Sequence, residues 1–105
     1  MLKKNYSKTG KSCRVTFKLP IEQLPSDERA AAESVAVLGE WNAWDADTHP
    51  MQRRKDGSFS TTISLDAGRD YRFRYLVDGQ VWTNDVDADT YVPNRFGTRD
   101  GIVAL

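Results

Sequence analysis

Short runs of alternating or β-branched apolar residues, Gly-containing turns between them and a single stretch with helical character predict an all-β chain. Strands of that kind and spacing favour an immunoglobulin-like antiparallel β-sandwich. The first clear strand begins at Cys13, where Cys13, Val15, Phe17 and Leu19 point one way and Arg14, Thr16 and Lys18 the other. Residues 34–38 (SVAVL) are nearly all apolar and β-branched, as a more central strand would be. Residues 58–65 alternate again, with Phe59, Thr61, Ile63 and Leu65 on one face. Tyr71, Phe73, Tyr75 and Val77 form the inward face of a strand that enters a hairpin at Asp78-Gly79, a pair suited to a two-residue turn with positive φ. Residues 81–83 are its short return, and residues 102–105 close the domain. Residues 24–33 (LPSDERAAAE) suggest a short helix, with Ser26 as N-cap. The expected organisation is a flexible, polar segment over residues 1–12 and one sandwich domain over residues 13–105.

Composition excludes several classes of function. The 105 residues carry 15 basic and 15 acidic side chains, which leaves no electrostatic footprint for nucleic acid or an anionic membrane. The cluster Arg53-Arg54-Lys55 reads as a solvated strand end. Cys13 is the lone cysteine, so no internal disulfide forms, which fits a reducing compartment. The N-terminus is basic but lacks a following apolar run, and no stretch approaches the ~20 apolar residues of a membrane span. The expected location is the cytoplasm.

Catalysis needs an activated group, and candidates are scarce. His49, the single histidine, reads as a surface-loop residue with no triad partner nearby. A structural zinc site needs about four Cys or His ligands, and the chain holds one of each. Asp85, Asp87 and Asp89 alternate as calcium ligands can, but the Gly and Glu of a calcium loop are replaced by Thr90 and Phe96. These acids therefore read as a solvated loop or cap. No carboxylate spacing singles out a glycosidase pair. The expectation is no catalytic residue, no metal and no cofactor.

Tryptophans among hydrogen-bonding side chains remain. Trp41 and Trp44 follow a buried strand in GEWNAWDA, and Trp82 follows the Asp-Gly turn. Large aromatics mostly serve burial, yet Trp44 lies in a loop of Asn, Asp and Thr. Trp82 alternates with Val81 and Thr83 on a short strand with one solvated face. An exposed indole near Arg74, Asn84, Thr98 and Asp100 suits a sugar, whose C–H face stacks while its hydroxyls seek donors and acceptors.

The ordered series GEWNAW, DGSF, YRFRYLVDG and W-ND-ADTYVPN-FGT resembles carbohydrate-binding module family 48 over roughly residues 13–105. That family includes the early-set N-terminal domains of isoamylases and glycogen branching enzymes, and the glycogen-binding domain of the AMP-activated protein kinase β subunit. The resemblance implies an early-set sandwich that binds α-1,4-glucan (glycogen, starch or maltooligosaccharide) without catalysis. The two sugar-stacking tryptophans of the kinase-type domain fall at Trp44 and Trp82. Its sugar-bonding lysine falls at Arg74, its ring-threading leucine at Phe96, its threonine donor at Thr98 and its asparagine at Asp100. Arginine keeps the charge of lysine but not its geometry, and an aspartate accepts from a hydroxyl but does not donate. Trp41 falls where the family usually has phenylalanine and reads as core. The alternative is a protein-interaction sandwich that has lost sugar binding and docks on a glucan-metabolising enzyme. A glycoside hydrolase label taken from multi-domain relatives would need a catalytic barrel of ~250 residues.

Overall fold

A computed structural model describes residues 2–20, 33–86 and 88–105; the helix expected over residues 24–33 lies almost wholly outside them. Among the described residues nine strands form two antiparallel sheets: β1 (Leu2–Tyr6), β2 (Ser12–Leu19), β3 (Val35–Gly39), β4 (Gln52–Arg53), β5 (Phe59–Asp66), β6 (Asp70–Val77), β7 (Val81–Thr83), β8 (Thr90–Pro93) and β9 (Arg99–Ala104). One sheet runs β1-β2-β5-β4 and the other β3-β6-β9-β8, with β7 also paired to β6. Together they make the immunoglobulin-like, early-set type of sandwich.

Alternation decides what lies between the sheets. Cys13, Val15, Phe17 and Leu19 of β2 are opposite Leu65, Ile63, Thr61 and Phe59 of β5. Tyr71, Phe73, Tyr75 and Val77 of β6 close the core from the other side with Val35, Val37 and Val103. Phe17 crosses the gap to Phe73, with ring centroids 5.1 Å apart in an edge-on arrangement. Trp41 stacks on Phe17 at 5.3 Å and packs against the core, as its sequence position suggests.

Besides adding the short strands β4 and β8, which the sequence reading did not name, the structure departs from that reading in four places. Leu2–Tyr6, inside the segment expected to be flexible, is a strand paired with β2 from Leu2↔Phe17 to Tyr6↔Cys13. The β6–β7 hairpin closes with three residues rather than two: Asp78 and Gly79 both have positive φ, and the register then pairs Val77 with Val81. His49 is half-buried rather than a surface residue, because its Nδ1 accepts from Trp41 Nε1 at 3.3 Å and faces Asn42 Nδ2 at 3.0 Å.

The fourth departure is Asp85, read as part of a solvated loop. Its carboxylate is wholly buried and accepts the Tyr75 hydroxyl at 2.7 Å. The Tyr91 hydroxyl donates to the Asp85 carbonyl. Its neighbour Asp89 pairs with Lys4 at 2.7 Å and accepts the Ala104 N–H at 2.7 Å, tying β1 to the end of β9. Among the described residues no three His, Cys, Asp or Glu side chains converge as a metal site requires.

The core is testable at two positions. A Cβ at Gly39 would clash with Trp41 Cζ3 and lie 2.7 Å from the Arg72 carbonyl oxygen, and the carbonyl belongs to a paired strand. Gly39→Ala is therefore expected to cost about 1–3 kcal/mol, read as a lower urea midpoint. Burial, and then the Asp85 charge, push the Tyr75 phenol well above its ordinary value. The unfolded state then loses its proton first, at about pH 10, so this contribution is intact below pH 10 and falls as pH rises further. Tyr75→Phe should cost about 1–3 kcal/mol at pH 7 by removing a donor from a buried carboxylate. In thermal melts it should also lose less stability than the parent between about pH 9 and 11.

Candidate functional site

The outer face of the β3-β6-β9-β8 sheet carries an open groove of about 1110 Å³. Its floor follows from strand alternation. Since Tyr71, Phe73, Tyr75 and Val77 face the core, Arg72, Arg74 and Leu76 must face out. Leu38 is the cross-strand partner of Arg74, and Trp82 that of Leu76. Trp82 is 44 % exposed while Val81 packs against the core, so this tryptophan is a surface residue and not a core plug.

Trp44 arrives by a different route. After β3 the chain makes one 3-10 turn, Glu40–Asn42. Ala43 and Trp44 then both take left-handed backbone angles, φ 54° and 61°. Two successive non-glycine residues in this region are costly, and they persist only where the surroundings over-determine them. Asn42 supplies that constraint. Its Oδ1 accepts from the Gly39 N–H at 3.0 Å and the Trp44 N–H at 3.1 Å, while its Nδ2 donates to the Val37 carbonyl at 3.1 Å. The Trp44 N–H is shared with the Gly39 carbonyl, at 3.0 Å. Glu40 adds a further tie, accepting the Arg72 N–H at 2.7 Å. The result places the half-buried Trp44 ring in the groove wall.

The β8–β9 turn forms the opposite wall and is organised by Asn94. Its Oδ1 accepts from the N–H groups of Phe96 and Thr98 at 3.0 and 3.2 Å. Its Nδ2 donates to Thr98 Oγ1 at 2.8 Å and Asp100 Oδ1 at 3.0 Å. Phe96, at the tip, is 76 % exposed. Arg74 is held across the floor: Nε donates to Asn84 Oδ1 at 2.9 Å, Nη1 reaches Thr98 Oγ1 at 3.4 Å, and the guanidinium lies 5.6 Å from the Trp82 ring centroid. Asn84 in turn donates to the Arg99 carbonyl at 2.8 Å.

All the residues singled out from sequence, Trp44, Arg74, Trp82, Phe96, Thr98 and Asp100, line this one groove. Asp100 differs from the others in being only 6 % exposed, with Oδ1 held by Asn94 and Oδ2 3.6 Å from Arg72 Nη1. Sequence reasoning missed Asn42 and Asn94, which shape the walls. The available signal was their position, each an Asn two residues before a turn residue whose N–H it accepts. An arrangement of two indoles, an exposed phenyl ring and fixed polar edges can stack flat apolar faces and bond hydroxyls around them.

Removing the Asn42 side chain takes an acceptor from the Gly39 N–H and leaves the Trp44 N–H with the Gly39 carbonyl alone. Asn42→Ala should therefore cost about 1–3 kcal/mol. In NMR spectra the Trp44 indole N–H signal should move while that of Trp82 stays in place.

Two comparisons with known proteins give matches. Over 43 residues, 40% of this chain, the sequence is 49% identical to the 1,4-alpha-glucan branching enzyme GlgB of Photobacterium profundum. The match spans only 6% of that enzyme. The family model for the glycogen recognition site of AMP-activated protein kinase matches residues 29–101, well over half of the chain. The chain therefore belongs to the glycogen-recognition family of carbohydrate-binding modules.

Proposed function

We propose that this domain is a non-catalytic module that binds α-1,4-glucan through Trp44 and Trp82, with Phe96 at the rim and Arg74, Thr98 and Asp100 as polar edges. The observation that carries this reading is the convergence of Trp44 and Trp82, from separate elements, on one open groove. The ring of Trp82 offers a stacking face, and Arg74 beside it is fixed by Asn84 and Thr98. An open groove suits a polymer, because chain can continue past either end of the site. Asp100 acts mainly on its neighbours, since both of its oxygens already have partners.

The reading as a protein-docking sandwich predicts a broad apolar patch on the opposite face. That face presents Arg14, Thr16, Lys18, Thr62 and Ser64, with Thr16 and Thr62 hydroxyls 2.9 Å apart. Such a surface favours the glucan reading. The likeness to a branching enzyme supports a role beside glucan metabolism, and a cytoplasmic location is part of the same proposal. Among the described residues no helix is long and apolar enough to cross a membrane.

A calorimetric or NMR titration with β-cyclodextrin is expected to show saturable binding. Trp82→Ala and Trp44→Ala should each weaken it by roughly fivefold or more with the fold intact, since a stacking platform contributes about 1–3 kcal/mol. Absence of any shift at millimolar ligand would remove the glucan reading.

A further inference from the structure

Among the described residues three guanidinium groups line the groove, those of Arg72, Arg74 and Arg95, against the carboxylates of Glu40 and Asp100. The two acids lie toward Arg72: Asp100 Oδ2 is 3.6 Å from its Nη1, and Glu40 accepts its backbone N–H. Arg74 and Arg95 are different. Among the described residues neither has a carboxylate at ion-pair distance, although the chain as a whole has as many acids as bases. The partners of Arg74 are neutral, the Asn84 side-chain amide oxygen, the Thr98 hydroxyl and the Trp82 ring. Arg95 lies over the Phe96 ring at 5.1 Å.

Asn84 and Thr98 hold Arg74 in place without cancelling its charge, and Arg95 is exposed at the β8–β9 turn. An uncharged sugar needs donors at the groove edge, and a threonine or asparagine would supply them. An oriented guanidinium at Arg74 beside the Trp82 ring, and an exposed one at Arg95 in the same groove, neither with a carboxylate at ion-pair distance among the described residues, match a different ligand feature, a planar or tetrahedral oxyanion that accepts charge-assisted bonds. We propose that the Arg74–Arg95 side of the groove is an anion subsite, and that the preferred ligand is an α-glucan bearing a phosphate monoester. This rests on the glucan reading given above. The phosphate would lie next to the sugar stacked on Trp82, and Arg95 would supply the charge that distinguishes a substituted chain from a plain one.

The experiment is calorimetry on the full chain with four probes: maltoheptaose, the same oligosaccharide carrying a 6-phosphate, glucose 6-phosphate and inorganic phosphate. At low salt the phosphorylated oligosaccharide should bind on the order of tenfold more tightly than the neutral one, as a charge-assisted hydrogen bond implies. The advantage should shrink as sodium chloride approaches 1 M, where the screening length falls to about 3 Å. Arg95→Gln should abolish the preference while neutral maltoheptaose binds as before. Equal affinity for the two oligosaccharides would overturn the anion subsite and leave the glucan module standing. Failure of both oligosaccharides to bind would overturn the glucan reading itself. Either inorganic phosphate or glucose 6-phosphate binding as tightly as the phosphorylated oligosaccharide would also overturn the proposal, by showing a site for a small anion and not for a glucan chain.

Discussion

The contact between Gly39 and the indole of Trp41 sets the geometry on both sides of the β3-β6-β9-β8 sheet. Trp41 can lie against the main chain of Gly39 because no Cβ intervenes. From there it reaches inward to stack on Phe17, edge-on to Tyr71, at the rim of the core. The pairing of β3 with β6 ends at Gly39. The chain then reverses through the 3-10 turn and the left-handed pair Ala43 and Trp44. Residue 41 thus plugs the rim of the sandwich while residue 44, three positions later, is delivered to the outer face. Core packing and presentation of the groove wall are mechanically one event.

The groove is held by asparagines placed at element ends. Asn42 fixes the turn that carries Trp44, Asn84 fixes Arg74 against β9, and Asn94 fixes the turn that carries Phe96 and Thr98. In each case a short amide side chain with both donor and acceptor ends satisfies groups that the strand ladders leave over. Rigid walls matter for a weakly contoured ligand such as a polysaccharide, because ordering of side chains on binding subtracts from affinity. The site is prepared by folding, through bonds made entirely within the protein.

Alternation made most of the strands legible. In β2, β5 and β6 one alternate set of residues is buried more deeply than the other, and that set matches the pattern in the letters. β1 and β8 were not legible for physical reasons. β1, LKKNY, has one strong apolar residue, and it becomes a strand because β2 offers it an edge. β8, TYVP, ends in a proline, which is tolerable because β8 is an edge strand of its sheet. The burial of Asp85 was invisible for another reason. An acid in NDVDADT reads as solvated until the fold brings the hydroxyl of Tyr75 to it.

The sequence by itself determined the fold class, the inward face of the long strands and the exposure of Trp82, because a period of two residues assigns faces without any knowledge of the fold. Its motifs also named six of the residues that line the groove, Trp44, Arg74, Trp82, Phe96, Thr98 and Asp100, but not Arg72, Asn94 or Arg95. Tertiary structure alone decided that these residues meet, since Trp44, Trp82 and Phe96 stand on elements joined through β6 and β9. It also decided which polar groups remain available. Asp100 is drawn into bonds with Asn94 and Arg72, whereas Arg74 and Arg95 have no carboxylate at ion-pair distance among the described residues. Such assignments depend on distances between side chains remote in sequence, and no local pattern encodes them.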